Sequence, residues 1–207
     1  MKKQIRANVF ETNSSSTHSV SINWNENHSN LALSCCDFND YIVYDNYFNE
    51  ERIQVPFGEF GWEITSYDEV WDKLRYVATM LLETYGNAMG SRYHDRTPDE
   101  IEAAWKPTDI YETDDFHTLD DAIYNATGYD WHICFNENNL VHYKKYTDEN
   151  DNVRGYFHNG DYGYIDHQSC ENYYCLQDWL DDWGLSSVEF AIFNPAVTIN
   201  TDNDNNY

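Results

Sequence analysis

The stretch YDWHICF-NENN-LVHYKKY (residues 129–146) is where the chain changes its periodicity, and the fold reading turns on it. Tyr129, Trp131, Ile133 and Phe135 alternate with Asp130, His132, Cys134 and Asn136, which predicts a half-buried strand. Asn136, Glu137, Asn138 and Asn139 supply turn chemistry, so residues 140–146 are expected to return as its hairpin partner. Segments 153–158 and 162–165 extend this to an antiparallel meander, interrupted at Asn159-Gly160-Asp161. On this reading His132 and His142 lie at the surface of the hairpin.

Upstream of the change the apolar spacing is helical. Ser66 and Glu69 have capping-box spacing, and Val70, Leu74, Val77, Leu81 and Tyr85 form one stripe that Gly86 is expected to end. Thr97, Pro98 and Glu100 open a second helix that stops before Pro107, and a third is expected over 119–126. Downstream, residues 171–183 predict a last helix, with Leu176, Trp179, Leu180 and Trp183 on one face and Glu171, Asp178, Asp181 and Asp182 on the other. Residues 188–193 read as a final strand; 4–10, 20–24, 41–44 and 52–57 read as short ones. The expected architecture is α+β: an antiparallel β-meander with three to four helices packed on it. It forms a single domain over residues 1–200, followed by a flexible acidic tail at 201–207.

The charge is unusual. Asp and Glu number 37 against 12 Lys and Arg, for a net charge of −25. No Lys or Arg occurs in 7–51, 107–143 or 155–207. Mean hydropathy is −0.77, yet aromatic residues make up 17% of the chain, which is core material that a disordered acidic tail lacks. Direct binding to DNA, RNA or an anionic membrane is disfavoured, because phosphate neutralisation needs bases. A surface so short of bases instead predicts a basic partner. No segment approaches the length of a membrane span, and the five cysteines form no C-x-x-C pair. A reduced cytoplasm without disulfides is expected.

Three groups of residues carry candidate chemistry. Asn13, Ser14, Ser15 and Ser16 form a run of small polar residues suited to an anionic substrate, flanked by Glu11 and His18 as an acid–base pair. The alternative is a solvated loop that bonds its own backbone. Glu59, in FGEFGW (57–62), is a candidate buried carboxylate, and Asp166-His167 joins imidazole to carboxylate at a strand end. No cofactor is required by these patterns; a divalent metal such as zinc would be held by His18, Asp166 and His167, with His167 otherwise a general base. The third group is acidic: Asp109, Glu112, Asp114, Asp115, Asp120, Asp121, Asp178, Asp181 and Asp182 are expected to face a partner.

The run R-x-x-V-F-E-T-N-S-S-S-T-H-S at 6–19, with F-G-E-F-G-W and Y-I-D-H-Q-S (164–169), resembles a family of uncharacterised bacteriophage and prophage proteins of Gram-positive bacteria. That resemblance implies a setting in the cytoplasm of an infected bacterial cell. Small acidic phage proteins act there as anti-CRISPR or anti-restriction factors by imitating nucleic acid. The expected function is therefore an inhibitor that occupies the basic DNA- or RNA-binding site of a host defence protein, such as a CRISPR effector nuclease or a restriction enzyme. The alternative is a small metal-dependent enzyme or metalloprotein built on the NSSSTH loop and the Asp-His pair.

Overall fold

A computed structural model of the chain describes residues 18–23, 38–60, 65–128, 130–159, 163–165 and 175–203. The fold is α+β, organised around one long helix, α1 (Val70–Arg92). All five residues of the expected stripe are buried, together with Tyr76, Ala78, Met80, Leu82 and Met89, so α1 is covered on almost every side. Two details differ from the sequence reading. Ser66 does not cap the helix, because strand β5 (Thr65–Tyr67) claims it and its hydroxyl donates to Asn200 Oδ1 at 2.6 Å. Gly86 does not end the helix either. It lies buried within α1, and burial of Met89 one turn further outweighs the ~1 kcal/mol that a helical glycine costs.

Around α1 lie small sheets rather than one meander. Strand β1 (His18–Asn23) pairs antiparallel with β10 (Thr198–Asn203), which also pairs with β5, so Thr201, Asp202 and Asn203 belong to a central strand and not to a tail. Strands β2 (Ile42–Asp45) and β3 (Glu50–Gln54) form a hairpin, and β6 (Ile133–Cys134) joins β3 in parallel. Ile133, Cys134 and Phe135 are all buried, so the expected alternation ends where β6 is covered on both faces. The hairpin that does form is β7 (Val141–Thr147) with β8 (Val153–Asn159). The Tyr143 ring lies over Gly155, where a Cβ would sit 2.0 Å from its hydroxyl, so any side chain at 155 would push that ring aside. Two-residue strands β4 (Glu59–Phe60) and β9 (Tyr164–Ile165) pair in parallel.

The other helices pack against α1 and the sheets. Helix α2 (Pro98–Ala104) has the full capping box: Thr97 N–H donates to Glu100 at 2.8 Å and Glu100 N–H donates back at 3.4 Å. Helix α3 (Asp114–Ala126) starts earlier than expected because Thr113 caps it. Helix α4 (Leu176–Trp183) buries Leu176, Trp179 and Leu180 and exposes Asp178, Asp181 and Asp182, as its pattern predicts. Residues 188–193, read as a strand, are helix α5 (Val188–Phe193). Val188, Ala191 and Ile192 have helical spacing and are buried, and Ser187 Oγ accepts the Phe190 N–H at 3.0 Å.

One continuous cluster of buried residues runs from Ile53 to Ile199. Lys73, with no exposure, crosses it from α1 and donates to the carbonyls of Asn194 and Val197 at 2.8 and 3.1 Å, anchoring the approach to β10. Among the described residues no helix is long and apolar enough to cross a membrane.

Candidate functional site

Arg75, Thr79 and Glu83 are spaced four apart, so they form one row along α1, and that row holds the β4–β9 pair. Arg75 donates to the Phe57 carbonyl at 3.3 Å, Thr79 Oγ1 accepts the Gly58 N–H at 3.0 Å, and Glu83 Oε1 accepts the Ile165 N–H at 2.6 Å. Thr79 Oγ1 in turn donates to the Arg75 carbonyl at 2.8 Å, which fixes its orientation. The backbones meet closely here. Gly163 has φ of +118°, and a Cβ on it would lie 2.3 Å from the Gly58 carbonyl oxygen. Two glycines therefore let residues 57–60 and 163–165 lie side by side, with Glu59 opposite Tyr164 and Phe60 opposite Ile165.

Glu83 is the electrostatically unusual residue of this region. Burial pushes its carboxyl up to about 7, and the Ile165 N–H offsets only part of that. Eight helical residues separate it from Arg75, about 12 Å along the axis, too far for an ion pair. A half-buried carboxyl with such a value can both give and take a proton near neutrality. Arg75 Nε is itself buried and has no hydrogen-bond partner among the described residues.

The expected site residues fare differently. Glu59 is exposed on β4, so the buried acid of this region is Glu83 and not Glu59. His18 begins β1, opposite Asn203, in a different sheet from β4. Glu11, Asn13, Ser14, Ser15, Ser16, Asp166 and His167 lie outside the described residues; β9 ends one residue before Asp166. Among the described residues no group of three or more His, Cys, Asp or Glu side chains is arranged to hold a metal ion.

The acidic residues divide into four. Asp114 and Asp115, in the first turn of α3, come together with Asp178 of α4: burial pushes the Asp115 carboxyl up, and the charges of Asp114 and Asp178 add to that. Asp115 Oδ2 accepts the Leu176 N–H at 3.2 Å, which draws the starts of the two helices together. Asp121, Asp181 and Asp182 are exposed. Asp109 and Glu112 have local duties: Asp109 accepts the Lys106 N–H at 3.0 Å, and Glu112 accepts the Tyr47 hydroxyl at 2.6 Å. Asp120 does not face a partner. It is 6% exposed, held inside by the Ile133 N–H at 2.7 Å and by His132 at 2.8 Å. Sequence reading overlooked Glu83; the spacing of Arg75, Thr79 and Glu83 is the signal that marks its row, hidden because α1 is apolar on its other sides.

No family model, curated protein or solved structure matches the chain.

Proposed function

We propose that the chain is an inhibitor of the anti-defence type, anti-CRISPR or anti-restriction. Its acidic face would dock on the basic nucleic-acid-binding site of a host protein, such as a CRISPR effector nuclease or a restriction enzyme, in the cytoplasm of an infected cell. The observation that carries this reading is the convergence of Asp114, Asp115 and Asp178 from two helices, in segments that contain no Lys or Arg. Duplex DNA carries one charge per ~1.7 Å of axis, so a rigid acidic face competes for the same basic groove. Such charge speeds encounter and makes binding salt-sensitive. A pull-down from host lysate at low and high salt tests it: a nucleic-acid-binding protein retained only at low salt supports the proposal, and none retained at either salt rejects it.

A second reading, a small metal-dependent enzyme, is favoured by one observation: Glu59–Phe60 and Tyr164–Ile165, which belong to two of the three motif segments, pair beside the Glu83 carboxyl, which burial pushes up to about 7. In it Glu83 serves as the base, and Asp166 and His167 bind the metal. Elemental analysis of the purified protein, with Asp166→Ala and His167→Ala, decides it. Absence of metal together with full biological effect of both variants eliminates this reading.

A further inference from the structure

The chain holds a second cluster of ionisable groups, on one face of the β2–β3–β6 sheet beneath α3. Arg52 is its centre. The guanidinium binds Glu50 through both Nε and Nη2 at 2.7 Å, donates to the Ile133 carbonyl at 2.9 Å, stacks 3.4 Å above the Phe48 ring and lies 3.7 Å from Asp120 Oδ2. Every part of that cation is engaged. Asp120 is engaged too, except that one of its oxygens reaches outward to a histidine.

Asp120 Oδ2 lies 2.8 Å from Nδ1 of His132. A carboxylate only accepts hydrogen bonds, so Nδ1 is the nitrogen that carries the proton, and Nε2 is left with its lone pair. Tyr124, one turn after Asp120 on α3, stacks flat on the imidazole, with centroids 4.2 Å apart and planes 8° apart. Position, plane and tautomer of the ring are thus all set by α3. Its side chain is 34% exposed, and among the described residues nothing hydrogen-bonds Nε2.

We propose that His132 is a reactive imidazole, with Asp120 as its positioning residue, that attacks uncharged acyl esters. The site goes beyond the inhibitor reading and does not depend on it. The Nε2 lone pair adds to the acyl carbon, the bond from that carbon to the ester oxygen breaks, and the oxygen departs with the bonding pair. Asp120 steadies the imidazolium through the Nδ1 proton it already holds. Water then adds to the acyl carbon, releasing the acid and restoring Nε2, while the extra proton passes to the departed oxygen or to solvent. The substrate is uncharged because Glu50 and Asp120 flank the single Arg52 and already match its charge, so a further anion would be repelled.

The probe is p-nitrophenyl acetate with the full chain. Phenolate release is expected to fall at least about tenfold in His132→Gln and to be unchanged in His142→Gln, a half-buried histidine of β7 with no carboxylate partner among the described residues. Asp120→Asn offers an amide to Nδ1, so its folded form is expected to move the ring proton to Nε2 and to lose the same activity. Because that variant removes a buried charge, nitrogen-15 NMR of the unmodified protein supplies an independent measurement: His132 is expected to carry its proton on Nδ1 when neutral. Equal rates for His132→Gln and the unmodified protein, or a neutral His132 protonated on Nε2, would overturn the proposal.

Discussion

The Tyr111 hydroxyl serves Phe135 as a neighbouring strand would, donating to its carbonyl and accepting from its N–H, each at 3.1 Å. Both groups are buried just after β6 ends, where no strand among the described residues reaches them. Burial accordingly pushes the Tyr111 hydroxyl up, out of the ordinary tyrosine range. Tyr111→Phe keeps the ring, which packs on Phe48, Phe116 and Phe135, and removes only the oxygen. Two buried backbone groups then lose their partner, and the expected loss is about 3 kcal/mol. A urea midpoint that falls with an unchanged slope is the measurement.

Glu83 makes stability depend on pH in a defined direction. Its folded value of about 7 lies above the ordinary 4.5, so the folded state holds the proton more tightly than the unfolded chain. The favourable contribution of the protonated form is complete below about 4.5 and is lost as pH rises through about 7. At 1.36 kcal/mol per unit this amounts to about 3 kcal/mol. Glu83→Gln keeps an oxygen for the Ile165 N–H and never ionises. Unfolding free energies measured from pH 5 to 8 should show the decline in the parent and a flat line for this component in the variant; parallel curves would refute it.

Gly163→Ala tests the close approach of β4 and β9. The substitution places a methyl group 2.3 Å from the Gly58 carbonyl oxygen in a backbone conformation that side chains rarely adopt. Strain of this kind costs about 1–3 kcal/mol before any overlap is relieved. The melting temperature is expected to fall, and the Ile165 amide, bonded to Glu83, is expected to lose hydrogen-exchange protection ahead of the core of α1.

Asp115 has a structural duty that its neighbours lack, because α4 has no side-chain cap of its own and borrows this carboxylate for the Leu176 N–H. Asp115→Ala is expected to cost about 1 kcal/mol, the usual effect of losing a cap, whereas Asp114→Asn and Asp178→Asn should leave stability within about 0.5 kcal/mol. If the proposed docking is right, those two exposed changes instead weaken binding to the basic partner and flatten its salt dependence. Association rates across a salt series, alongside thermal melts, separate the two effects.

The sequence by itself determined the α+β class, the apolar stripe of α1, the Thr97–Glu100 capping box and the two faces of α4, because each is a local matter of spacing or of a cap a few residues away. It also determined the charge. What only the tertiary structure decided is who pairs with whom. Ser66 has the chemistry of a cap, but β10 takes it; residues 188–193 have the composition of a strand, but burial of Val188, Ala191 and Ile192 makes a helix. Parallel pairing of β6 with β3 and of β9 with β4 joins segments about 80 and 105 residues apart, and no short-range pattern encodes such a choice. The ionisable groups show the same division. Asp120 and Glu83 look like surface acids in the chain, and it is the packed neighbours, His132 and Ile165 among them, and not residue type that draw them inside.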